Sequence, residues 1–171
     1  MRDKTCCTWR PGVPLDLVAT VGRFTVSRNE PVNLFDGRTF KRVLEAEDGK
    51  LHLLCVHAIG SGLCVEIFPA ISGRRIIADL RKNLFHILGI KDDLAAFGQI
   101  ARDDQVLWPL FQRFRGLRIS RVPTLFEALI TAVTAQQINL SFAGTVRSRW
   151  HRSPRFSAAP LDPGSATAPN R

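Results

Sequence analysis

Few residues in this 171-residue chain combine the types and spacing that chemistry needs, and most of them lie between positions 113 and 143. Gln136 and Gln137 stand side by side where an apolar stripe of Phe126, Leu129, Ile130 and Val133 calls for another apolar side chain. Two amides at that point mark either the fraying end of a helix or a surface that meets a polar partner. Arg115, Arg118 and Arg121 precede the stripe at three-residue intervals, and Gly116 gives the backbone freedom between them. Guanidinium forks suit phosphate oxygens, but a solvated or intramolecularly paired role fits them equally well.

Metal and nucleophile chemistry have weaker support. Cys6 and Cys7 are adjacent, Cys55 and Cys64 sit in strand-like runs, and no CxxC occurs. They read as small hydrophobes, with the first pair on a ragged N-terminal arm. His52, His57, His86 and His151 have no HExxH-like spacing and read as structural or surface histidines. No metal site is expected.

Charge adds a second clue. Lys and Arg number 24 against 15 Asp and Glu, for a net charge of +9, and nineteen of the 24 are arginine. That bias leans toward nucleic acid, although a GC-rich genome also inflates arginine. Apolar residues at 45% suffice for a core, and a charged fraction of 23% argues against wholesale disorder. The apolar runs are too short for a membrane span, and residues 1–20 carry no uninterrupted apolar stretch of the secretory kind. The expected setting is cytoplasmic, associated with the nucleoid and away from membranes.

The elements that position these residues change period along the chain. Residues 15–21, 23–26, 40–44, 51–57 and 63–68 are β-branched or leucine-rich and are separated by turn chemistry such as Asp36-Gly37, Asp48-Gly49 and Gly60-Ser61-Gly62. These short spacings favour antiparallel hairpins. Ser72 is then placed to cap a helix with Ile76, Ile77, Leu80, Leu84, Ile87 and Leu88 on one face, ended by Gly89. Arg74, Arg75, Arg81 and Lys82 fill much of its other side. A second helix starts at Asp92 or Asp93, and a third follows Asp104, with Pro109 early and Gly116 as its stop. Thr124 and Glu127 form a capping box for a fourth, in which threonine and glutamate each satisfy an end N–H group. Asn139 is placed to cap a helix beyond it. Strands first and helices afterwards make an α+β chain. The expected divisions are an arm at 1–14, an antiparallel-sheet domain at 15–90, helices at 91–147 and a tail at 148–171.

The stretch RFRGLRISRVPTLFEALITAVTAQQINLSFA, Arg113 to Ala143, resembles the opening of the catalytic domain in the DNA-3-methyladenine glycosylase II family, which belongs to the helix-hairpin-helix base-excision glycosylases. ILGIKDDLAAF, Ile87 to Phe97, is similar to that family's link between its sheet domain and its helices. The likeness spans about residues 15–147 and is weaker over the strands. It implies a TBP-like antiparallel sheet with a packed helix, followed by the first helices of an all-α domain. It also implies a monomeric, cofactor-free repair enzyme for double-stranded DNA with alkylated bases. Such an enzyme flips the damaged purine out and hydrolyses its N-glycosidic bond. Gln137 matches the family's wedge residue and Gln136 its neighbouring amide. Arg118 and Arg121 join them as DNA-binding candidates.

The family's helix-hairpin-helix and the catalytic Asp that follows it have no counterpart in these residues. Asp162, the only carboxylate after Glu127, lies in LDPGSATAPNR and reads as a turn residue. After Val146 the chain turns to Arg, Ser, Pro and Ala without an amphipathic stripe, which raises the expectation of a truncated or frameshifted reading frame near 147–150. A chain of this kind is expected not to excise bases alone. The alternatives are a non-catalytic DNA-binding module and a defunct fragment.

Overall fold

Alternation along the strands sets the architecture. The computed structural model describes residues 3–25 and 32–137, with the side chains of 25 and 134–137 outside that description. Five strands form one antiparallel sheet: β1 (Thr5–Trp9), β2 (Asn33–Phe35), β3 (Phe40–Glu45), β4 (Leu51–Ile59) and β5 (Gly62–Phe68). Their spatial order is β1-β5-β4-β3-β2, so β2 to β5 form a meander and β1 adds to its far edge. Register puts Phe40 opposite Val56 and Val56 opposite Val65, and puts Arg42 opposite Leu54 and Leu54 opposite Ile67. These positions share one face of the pleat, and all are buried.

Helix α2 (Arg74–Ile87) contributes Leu80, Leu84 and Ile87 to the same core. Each of these side chains contributes about 1.5–3 kcal/mol by leaving water. Trp9 of β1 meets Phe85 of α2 edge to face, with ring centres 6.4 Å apart. The cap of α2 differs from expectation: Gly73 occupies the N-cap and gives no side-chain bond. The stop is as expected, since Gly89 has φ +62.

Two expected strands have other conformations. Residues 15–21 hold helix α1 (Leu17–Val21), which Asp16 caps by accepting the Ala19 N–H at 2.9 Å, and residues 22–25 continue as a 3-10 turn. Leu17, Thr20 and Val21 recur at helical spacing and are buried, so this packing overrides the local β preference. The expected arm at 1–14 contains β1, whose Thr5 hydroxyl donates to the Ile71 carbonyl and accepts from the Ile71 N–H. Cys6 is exposed and Cys7 half-buried on this strand; both are free thiols.

The remaining described helices are α3 (Leu94–Ala101), α4 (Leu107–Arg113) and α5 (Leu125–Gln137). Asp93 caps α3 by accepting the Ala95 and Ala96 N–H groups. The Asp104 carboxylate accepts from Val106 and Leu107 at the start of α4, so Pro109 falls in a first turn that needs no N–H donor from it. No described helix is long and apolar enough to cross a membrane.

Candidate nucleic-acid interface

The Arg-Gly-Leu-Arg run forms a strap that ties the helices to the sheet unit. Gly116 has φ +99, and its carbonyl accepts the Asp16 N–H at 2.8 Å. A Cβ at Gly116 would lie 2.9 Å from that same nitrogen, so glycine is required there. A Cβ at Gly89 would lie 2.7 Å from the Ile119 carbonyl oxygen. The strap therefore runs against two glycine-defined surfaces, one at the start of α1 and the other at the end of α2.

Arg118 locks this junction. The residue is only 4% exposed. Its Nε donates to the Pro14 carbonyl at 3.1 Å, and Nη1 donates to the carbonyls of Gly89, Ile90 and Asp92 at 2.9, 3.3 and 3.1 Å. Its backbone N–H donates to the Thr20 hydroxyl at 3.1 Å. Burial lowers the guanidinium pKa, and nearby Asp92 opposes that shift. Of the two roles open to Arg118, the geometry matches the intramolecular one. Arg121 is more accessible, with a 46% exposed side chain, an ion pair to Asp92 and a backbone N–H bonded to the Ile87 carbonyl at 2.8 Å. Arg115 is also exposed.

Helix α5 follows. The Thr124 hydroxyl accepts the Glu127 N–H at 3.1 Å, which is the first half of the expected capping box. The second half takes another course. The Glu127 carboxylate accepts from Arg42 Nη2 at 2.6 Å, across 85 positions of sequence. Arg42 also donates through Nη1 to the Asn33 side chain. Asn33 and Arg42 face each other across β2 and β3, so the sheet presents a buried cation to the first turn of α5. A signal for this existed in the sequence: Arg42 is in phase with Phe40 and Leu44, an inward position where a charge needs a partner.

The expected stripe on α5 is largely open to solvent: Phe126, Leu129 and Val133 are exposed in the described structure, as is Leu125. Gln136 and Gln137 are the last described residues of the helix, and their side chains lie outside the description. The proposed cap Asn139, the carboxylate Asp162 and the whole 148–171 tail lie outside the described residues as well.

Beside the strap, α3 and α4 enclose a cleft of about 830 Å³. Phe111 meets Phe97 edge to face and stacks on Trp108, both with ring centres 5.8 Å apart. Arg102 lies over the Trp108 ring at 5.6 Å. Phe97 and Ile100 of α3 are both exposed. No group of histidine, cysteine and carboxylate side chains among the described residues is arranged to hold a metal ion. Of the histidines, His52 is buried, His57 half-buried and His86 exposed, while His151 lies outside the description.

No family model matches the chain. A protein from Bacillus subtilis (strain 168) named DNA-3-methyladenine glycosylase is 27% identical over 140 residues, covering 79% of this chain and 45% of its own length. Among solved structures, a 3-methyladenine DNA glycosylase from Archaeoglobus fulgidus superposes with a TM-score of 0.69 at 16% identity, covering 84% of this chain and 48% of its own. The chain thus spans about half the length of the relatives it matches.

Proposed function

We propose that this chain, which is similar to DNA-3-methyladenine glycosylases, forms the sheet domain and the first catalytic-domain helices of a base-excision repair glycosylase for alkylated purines. In this reading the sheet unit is the TBP-like domain, and α5 begins the helical domain. One observation carries the proposal: α5 is fixed at its threonine-capped start and carries Gln136 and Gln137. A long amide side chain presented by a helix suits the minor groove, where it fills the gap left by an extruded base. Extrusion costs a few kcal/mol and less at a damaged base, which favours lesions over intact pairs.

The chemistry needs little help at the base, because a cationic alkylated purine is already a good leaving group. It does need a carboxylate beside the sugar, and these 171 residues hold no helix-hairpin-helix sequence followed by such an aspartate. The chain's own contribution is therefore binding and distortion of duplex DNA, as a monomer, in the cytoplasm at the nucleoid. Gln136 and Gln137 act at the lesion, Arg121 contacts phosphate, and Arg118 holds the strap that carries Arg121.

Incubation with alkylated duplex should release no 3-methyladenine above the spontaneous rate. Binding to a duplex containing an abasic site should weaken steeply with salt, with a log–log slope of about −0.9 for each phosphate neutralised. Release at a catalytic rate would refute the division of labour, and no binding at low salt would refute the DNA reading.

A further inference from the structure

We propose that Arg42 is a positioning residue that sets, through Glu127, how the turn of α5 that carries Gln136 and Gln137 meets DNA; this rests on the reading of those two residues given above. Arg42 belongs to the sheet, and its side chain is 3% exposed, against 20% for that of Glu127. Its guanidinium is forked: one nitrogen is held by Asn33 on the adjacent strand and the other donates to Glu127. A fork anchored on both sides fixes direction as well as distance, which a lysine ammonium does not.

Glu127 gives up its local role to make this contact. In a complete capping box its carboxylate would return to the Thr124 N–H, and helix α5 would be stabilised without reference to the sheet. With the carboxylate turned to Arg42, the helix start is tied to β3 instead. Glu127 and Gln137 are ten residues apart, or about 15 Å along the axis. A tilt of about 10° at the anchor therefore moves the turn at Gln137 by about 2.6 Å. Misplacement by about 1 Å already costs on the order of a hundredfold in a reacting geometry. Buried ion pairs are poor sources of net stability compared with apolar isosteres, but they suit a registering role. The exposed apolar side of α5 points the same way, because the described structure gives Phe126, Leu129 and Val133 little packing with which to fix the helix.

The test uses the full chain and three variants: Glu127→Gln, Glu127→Leu and the double variant Arg42→Met/Glu127→Leu. The double variant removes the anchor without stranding a buried charge. Hydrogen exchange is measured over 125–133 with β3 to β5 as internal reference. Exchange in α5 should rise about tenfold in the double variant and about threefold in Glu127→Gln, with the sheet unchanged, whereas Glu127→Leu, which leaves the Arg42 charge uncompensated in β3, should accelerate sheet and helix together. Uniform acceleration across sheet and helix in the double variant, or none in α5, overturns the anchor. The second measurement is 2-aminopurine fluorescence beside an abasic site in duplex DNA. The unaltered chain should perturb it, and the double variant should lose that change at least fivefold while keeping its affinity within about threefold. An equal signal from the double variant overturns the positioning role and leaves the DNA reading standing. No signal from the unaltered chain overturns the role assigned to Gln136 and Gln137, while hydrogen exchange still decides the anchor.

Discussion

Arg118 and Arg121 show how little residue type alone decides. Both are arginines of one short strap, three positions apart, and both suit phosphate. Arg118 is enclosed and satisfies four main-chain carbonyls, whereas Arg121 keeps its side chain partly in water. A buried acceptor that loses its donor costs about 1–3 kcal/mol, and several are lost together here. Arg118→Leu should therefore destabilise the chain by roughly 3–5 kcal/mol in urea unfolding, with Arg118→Lys recovering part of that, since an ammonium still donates to one or two carbonyls. A phosphate ligand would behave differently: its loss would leave unfolding unchanged and reduce the salt slope of DNA binding by about 0.9.

At the scale of elements, the β2–β3 hairpin matters because it brings Asn33 to Arg42. Its turn is held by Asp36, whose carboxylate accepts the Thr39 and Arg38 N–H groups at 2.7 and 3.0 Å and receives Lys41 at 3.3 Å. Those bonds, Thr39 first, lower the Asp36 pKa from 3.8 to about 2. A depressed carboxyl stabilises the fold fully above the unfolded value, and that stabilisation fades as pH falls from near 3.8 through about 2. Asp36→Asn should flatten the acid limb of the stability profile in that window and lower stability at neutral pH, because a neutral amide oxygen accepts the same N–H groups more weakly than a carboxylate does. An unchanged acid limb would show that the carboxylate contributes no linkage.

This hairpin was only half legible in the sequence. Residues 40–44 read as a strand, although Arg42 breaks their apolar face, whereas β2 has three residues and follows a segment with no period. Asp16, Asp93 and Thr124 mark helix starts by local chemistry, but the cap at Asp16 is masked by the β-branched residues after it. The amide pair at 136 and 137 is visible as a break in a stripe. Its anchor is not, because Arg42 and Glu127 are joined by a fold that brings together positions 85 apart.

For the molecule as a whole, two surface properties oppose each other. A net charge of +9 repels neighbouring copies and attracts duplex DNA. Apolar side chains on α3, α4 and α5, among them Phe97, Leu110, Phe126 and Leu129, lie exposed in the described structure and favour association. Salt separates the two, since the Debye length falls from about 10 Å at 0.1 M to about 3 Å at 1 M, while apolar attraction survives screening. Sedimentation velocity should find the chain monomeric near 0.1 M salt and self-associated near 1 M. Phe126→Glu together with Leu110→Glu should restore the monomer at high salt without weakening the arginine strap. If the unaltered chain stays monomeric at both salt levels, these side chains are covered in solution, and their exposure does not drive assembly.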